Sequence, residues 1–168
     1  MRINLGCGDQ IRQGWIGVDR VPSPATRVLC DLGAPLPFLD ASVEEVMLDN
    51  VVEHIPDLVG LMREVARIGR AGARVIVRTP HFSALASWRD PTHVHHLSYF
   101  SLDHVSKVDG RRYASADLTI ERRKLSFGGG PFGLLGRAFF ALSPEFYEKH
   151  LCFMLRASTL TFELRVAR

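Results

Sequence analysis

Six residues, 9–14, separate a glycine turn from the next apolar strand, and this shortage constrains the fold more than any other feature of the chain. The turn, Gly6-Cys7-Gly8, follows the apolar run Arg2-Ile3-Asn4-Leu5; after Trp15, the run Ile16-Gly17-Val18 ends on Asp19. Parallel neighbours are ordinarily joined by a crossover of about a dozen residues or more, usually a helix. Six extended residues reach roughly 20 Å, enough to return beside one short strand but leaving room for a turn or two of helix at most. Glycines at the turn let the backbone come close to a ligand, because no Cβ intervenes. A carboxylate ending the second strand can accept hydrogen bonds from both hydroxyls of a ribose. These are the parts of a nucleoside site on an open α/β sheet.

The downstream pattern supports that sheet. Residues 27–32 read as a short buried strand with Asp31 near its end, and a fourth strand centres on Val46-Met47-Leu48. From Asp57 the period changes: Leu58, Leu61, Met62, Val65 and Ile68 fall at helical spacing, with Asp57 placed as N-cap. Gly69 and Gly72 supply a stop before a buried strand over 74–78. Strand, helix and strand in this order predict a right-handed βαβ unit. The fold class expected is α/β, a doubly wound, mostly parallel sheet. Beyond Pro80 lies a segment rich in His, Ser and aromatics, 81–104, then a strand over 118–127. An apolar helical stretch over 132–157 breaks at Ser143-Pro144, which starts a second helix over 145–156. A cleanly alternating strand, 159–166, closes the chain, and one of the two late strands is expected to run antiparallel. The organisation expected is a single domain over 1–168, with 1–80 the ligand-binding half and 81–168 the later segments.

With 168 residues, 46% of them hydrophobic, the chain suits one domain with a sizeable core. The net charge of +3 is unevenly spread: residues 1–104 hold 10 Lys and Arg against 12 Asp and Glu, and 105–168 hold 11 against 6. The basic half reads as a solvated strand face, since nucleic-acid binding calls for a denser basic stripe interleaved with aromatics. No apolar run is long enough for a membrane span, and nothing near the N-terminus resembles a signal peptide. Three unpatterned cysteines fit a reduced, cytoplasmic setting.

The ordered set Asn4-Leu5-Gly6-Cys7-Gly8, Asp19, Asp31-Leu32, Asn50-Val51-Val52-Glu53-His54-Ile55 and Gly69-Arg70-Ala71-Gly72 resembles the class I S-adenosylmethionine-dependent methyltransferases. The resemblance covers residues 2–100 and extends to the last strand. It implies S-adenosyl-L-methionine as cofactor, with Asn4, Gly6, Cys7 and Gly8 under its methionine part and Asp19 on the ribose. It further implies Asp31 and Leu32 at the adenine, and Asn50 and Val51 closing over the cofactor. Asn4 stands where the family often has an acid, and Asp9-Gln10 where it often has a third glycine. A small subgroup shares the shortened first connection and an Asp-Pro-Thr-His stretch, here Asp90-Pro91-Thr92-His93. By analogy with that subgroup, the acceptor is a small molecule, a sugar or polysaccharide, or a lipid-linked group.

Methyl transfer needs an acceptor aligned behind the methyl group, and a hydroxyl acceptor gains from a base. His81, directly after the fifth strand, is the first catalytic candidate, and His93 oriented by Asp90 the second. His54 is expected to pack against the cofactor loop. As metal ligands, His93 with His96 or His81 with Asp90 match no strong spacing motif, so no metal is assigned. A nicotinamide fold would want a third glycine after Gly8 and an acid roughly 20 residues on, whereas Asp19 comes sooner. A binding or regulatory protein without turnover would keep the glycine turn and Asp19 yet lack an acceptor pocket. The segment 132–157 is expected to pack between the last two strands, with a lid, a homodimer surface or a membrane-surface contact as the other uses of so apolar a stretch.

Overall fold

The computed structural model describes residues 1–106 and 116–167. Seven strands form one sheet: β1 (Arg2–Leu5), β2 (Ile16–Asp19), β3 (Thr26–Leu29), β4 (Val43–Asp49), β5 (Gly69–Pro80), β6 (Leu118–Phe127) and β7 (Ala157–Val166). Their order is β3-β2-β1-β4-β5-β7-β6. The first five run parallel, and β7 lies antiparallel between β5 and β6, so one late strand is reversed as expected. The sheet grows from β1 in both directions: β2 and then β3 lie on one side, and the chain crosses back from β3 to place β4 on the other. Beyond the carboxyl ends of strands at such a reversal an open α/β sheet forms its ligand crevice.

No helix joins β1 to β2. The connection is a run of turns, tied back by charge: Arg12 donates to the Asp49 carboxylate of β4 at 3.1 Å, and the Arg2 guanidinium lies 5.6 Å over the Trp15 ring. An ion pair and a cation–π contact thus do the anchoring that the apolar face of a crossover helix would do elsewhere. Helix α1 (Leu58–Ile68) begins at Asp57, whose carboxylate accepts from Gly60 N at 2.8 Å, and buries Leu61, Met62, Val65 and Ile68 against the sheet. Among the described residues the other α-helices are α2 (Leu85–Arg89), α3 (Gly130–Leu142) and α4 (Pro144–Phe146), the last running on as a π-helical turn over Tyr147–Leu151.

Four expectations need correction. The third strand is Thr26–Leu29, shorter than 27–32, and as the edge of the sheet it is half-exposed. Gly69 does stop α1, as its C-cap, but the strand expected over 74–78 is longer: it starts at Gly69 itself, pairs there with Val43, and absorbs an irregularity before Arg74. The second helix of the late segment stops at Leu151, well short of 156. Segment 132–157 divides: Tyr147, Cys152, Leu155 and Ala157 join the core as expected, whereas its first helix packs the reverse of a core helix. On α3 only Gly133 and Gly136 are buried, because a Cβ at either would overlap Gly128 or Phe127, while Phe132, Leu134 and Leu142 face outward at 69%, 67% and 82% exposure. No helix among the described residues is long and apolar enough to cross a membrane.

Candidate functional site

A cavity of about 390 Å³ opens at the carboxyl ends of β1, β2 and β4, lined by Gly6, Gly8, Asp19, Asp31, Asn50 and His54 among others. This is within the usual size of a small-molecule site. Gly6 has φ +65°, and a Cβ there would run into the Val51 side chain. Gly8, at φ +49°, faces open space, so the backbone at the turn is bare toward the cavity. The turn is pinned from beneath, Gly6 N and Cys7 N both donating to Val18 O at 2.8 and 3.1 Å.

Asp19 is oriented by the backbone alone. Its Oδ2 accepts from Gly8 N at 2.8 Å and its Oδ1 from Val21 N at 3.0 Å. A carboxylate has about four lone-pair positions, so each oxygen keeps one for an incoming hydroxyl. Asp31, after β3, is braced by Gly33 N on Oδ1 at 2.9 Å, with the buried Leu32 beside it. Asn50 takes φ +54°, a left-handed turn that Asn tolerates, and carries the chain from β4 over the cavity into Val51. An adenosyl group fits this donor set: a bare glycine turn, a pre-oriented carboxylate with free lone pairs, and a second acid beyond it.

Two of the residues expected at the cofactor lie elsewhere. Asn4 is buried and lines a smaller cavity of about 210 Å³ with Gln10, Trp15 and Arg27, in the space left by the missing crossover helix. Strand alternation explains it, since Ile3 and Leu5 face the opposite side. Cys7 is buried at the turn, its thiol near Gly8 O and the Thr26 hydroxyl, and does not line the main cavity.

The histidines sort by their partners. His81 is fully buried and both ring nitrogens are engaged, Nδ1 with Ser83 Oγ at 2.8 Å and Nε2 with Glu148 Oε1 at 2.9 Å; it does not reach the cavity. Glu148 also accepts from Tyr99 N, so this pair fastens the 81–106 segment to the late helical one. His96 stacks on Trp88 at 3.7 Å, and His95 Nε2 lies against the carbonyls of Ile55 and Pro56. Neither His96 nor His81 thus joins the metal pairings weighed from spacing.

The imidazole that does line the cavity is His54, on the 3₁₀ turn Val52–His54, with Thr92 beside it. Thr92 Oγ1 lies 2.6 Å from Asp90 Oδ1 and 3.0 Å from His54 Nδ1. An ionised carboxylate only accepts, so the hydroxyl donates to Asp90 and accepts from His54 Nδ1–H. Hydrogen bonds from Thr92 hold the Asp90 carboxyl below the usual carboxylate range. Asp90 therefore orients His54 through Thr92. Its other oxygen is 4.0 Å from His93 Nε2, too far for a hydrogen bond. His93 instead packs edge-on against His54, with ring centres 4.6 Å apart.

Spacing gave no hint of His54 as a wall of the cavity, since the pairing with Thr92 spans 38 positions of sequence. Arg20 and Cys30 also line the cavity unforeseen, although each sits next to a residue that was expected there.

Residues 12–77 match the family described as a methyltransferase domain, a stretch that begins after the glycine turn and ends within β5. No curated protein matches the chain in sequence. Among solved structures, an S-adenosylmethionine-dependent methyltransferase from Mesorhizobium loti is similar at 16% identity and a TM-score of 0.63, covering 98% of this chain and 89% of that one. An S-adenosylmethionine-dependent methyltransferase from Archaeoglobus fulgidus is similar at 16% identity and a TM-score of 0.58, covering 98% and 85%. The cyclase SpnF shares the fold at 13% identity and a TM-score of 0.61, covering 98% and 73%.

Proposed function

We propose, from the methyltransferase-domain match over 12–77 and the shared fold, that this chain is a class I S-adenosylmethionine-dependent methyltransferase that moves a methyl group from S-adenosyl-L-methionine to a small hydroxyl-bearing or glycan-like acceptor. One observation carries the reading: a single cavity joins the glycine turn, Asp19 and Asp31 at one end to His54 and Thr92 at the other. Asp19 takes the ribose hydroxyls on its free lone pairs, Asp31 with Leu32 takes the adenine, and Asn50 with Val51 covers the cofactor. Gly6 and Gly8, whose turn is bare toward the cavity, would hold the methionine part of the cofactor. In this reading residues 1–80 bind the cofactor, and 81–168 supply the acceptor side through Thr92.

When bound, the cofactor supplies an activated methyl on a good leaving group, so this chain's residues mainly align the acceptor and exclude water. His54, the ring that Thr92 and Asp90 hold in one orientation, would line the acceptor end of the cavity. His93 and Asp90 thus belong to the support of that end, while His81 is assigned to structure. The fold alone does not specify the reaction, as the cyclase neighbour illustrates.

Calorimetry with S-adenosylmethionine tests the cofactor half. Micromolar binding, weakened in Asp19→Ala and in Asp31→Ala, is expected, and no binding would end the proposal. A labelled-methyl screen over sugars and other small hydroxyl compounds tests the transfer half. Binding without transfer to any of them would favour a cofactor-binding protein without turnover.

A further inference from the structure

Glu53 is the most anomalous side chain near the cavity. It is 1% exposed, and neither carboxylate oxygen has a hydrogen-bond partner. Burial raises its pKa; its own backbone N–H and the Thr79 hydroxyl, close by but outside hydrogen-bond geometry, and the rings of His54 and His93 oppose that only in part. Thr79 Oγ1 is itself without a hydrogen-bond partner. Leaving a buried carboxylate unpaired is costly, and such groups are normally neutral, ion-paired or bound to a metal.

Its neighbours are two imidazoles with lone pairs to offer. The ligand atoms of Glu53, His54 and His93 all lie within 4.8 Å of one another. His93 Nδ1 is 2.9 Å from Ser87 O, and a carbonyl only accepts, so the proton sits on Nδ1 and Nε2 carries the lone pair. His54 Nδ1 donates to Thr92, which in turn donates to Asp90, so His54 Nε2 is the basic nitrogen there too. A ring nitrogen fixed by an outer acceptor while the other points inward is the arrangement found around metal-bound histidines.

We propose that Glu53, His54 and His93 form a site for one divalent transition metal of the zinc type, with its open coordination position toward the acceptor end of the cofactor cavity. Two imidazoles and one carboxylate suit zinc or a similar ion, whereas magnesium and calcium prefer oxygen ligands. Ligands at about 2.0–2.2 Å from such an ion stand roughly 3–4 Å apart, so the three need to close in by about an ångström. Asp90 lies on the rim, 4.0 Å from His93, and adds negative charge.

The consequence for catalysis rests on the methyl-transfer reading. An acceptor hydroxyl bound at the open position loses its proton to water more easily, and its electron pair stays on oxygen. That oxygen forms the bond to the methyl carbon as the carbon–sulfur bond breaks, and sulfur leaves with the pair as a neutral thioether. His54 then acts as a ligand, not as the proton acceptor.

The test uses the full chain stripped with a chelator. Zinc is titrated by calorimetry, cobalt(II) by its visible absorption, and S-adenosylmethionine binding is measured on the same samples. One equivalent of each metal is expected, with affinity at least tenfold weaker in Glu53→Gln and in His93→Ala, and a zinc-dependent rise in melting temperature that both variants lose. Cofactor affinity within threefold of the parent shows that each variant is folded; should Glu53→Gln fail this, His93→Ala and His93→Gln carry the test. Absence of stoichiometric binding, or full affinity in the Glu53→Gln/His93→Ala double variant, overturns the site. Cofactor binding without metal binding sinks this inference alone, and metal binding without cofactor binding sinks the methyltransferase reading alone.

Discussion

The carboxyl edge of β1 to β4 and the histidine segment after β5 are both built from polar residues beside the same cavity, yet they work in opposite ways. On the first, each side chain stands at a strand end or within two residues of it, and the backbone itself holds it: Asp19 by Gly8 N and Val21 N, Asp31 by Gly33 N. In the second, side chains hold one another across long stretches of chain, His81 with Glu148 and His54 with Thr92 and Asp90. Strand position therefore predicts who lines the cavity on the first edge. In the histidine segment, partner choice decides it, and partner choice is tertiary.

Gly6→Ala attacks the backbone-held edge most directly. A Cβ at φ +65° would collide with Val51, so S-adenosylmethionine affinity is expected to fall by about a hundredfold or more, read by calorimetry. Binding within threefold of the parent would mean that the turn is not under the cofactor.

His81→Ala makes the opposite cut. It strips a buried hydrogen-bond partner from both Ser83 and Glu148, so unfolding free energy should drop by about 2–3 kcal/mol in urea melts, while cofactor affinity stays within twofold. Loss of cofactor binding with unchanged stability would move His81 into the site and erase the contrast. Asp31→Ala is expected to cost about tenfold in affinity for S-adenosylmethionine, or ~1.4 kcal/mol, without altering the melt. An unchanged affinity would take Asp31 out of the adenine contact.

The smallest effect lies farthest from the cavity. Burial pushes the Tyr147 phenol up to about 12, and its hydroxyl donates to Leu155 O at 2.7 Å. A pKa raised on folding favours the native state below the ordinary tyrosine value near 10 and loses that contribution as pH rises toward 12. Tyr147→Phe should cost about 1 kcal/mol at neutral pH and flatten the decline of stability between pH 10 and 12. An equally steep decline in the variant would assign it to other groups.

Local chemistry was enough to place most of the sheet. Short apolar runs ending in glycine or acid, the 3.6-residue period after Asp57, and the alternation of 159–166 each depend on residues within a few positions of one another. The six-residue connection even excluded the first crossover helix, since chain length bounds reach whatever the packing. Errors arose where a long-range partner overrode the local signal. The Gly69–Gly72 stretch ends the helix as its composition says, but Val43 offers it a pairing edge, so the strand expected from 74 already begins at Gly69. Asn4 belongs to the motif by position and to the opposite face by pleat.

What sequence alone determined, then, is the succession of strands along the chain, the glycine turn, and the acids at the end of β2 and after β3, because each is a property of a short segment. What the tertiary structure decided is which histidine faces the cavity, that Asp90 acts through Thr92, that α3 buries Gly133 and Gly136 and exposes Phe132, Leu134 and Leu142, and that Glu53 is left unpaired between two rings. These depend on side chains separated by tens of residues meeting at a few ångströms. No local period encodes such a meeting; only the closed sheet brings it about.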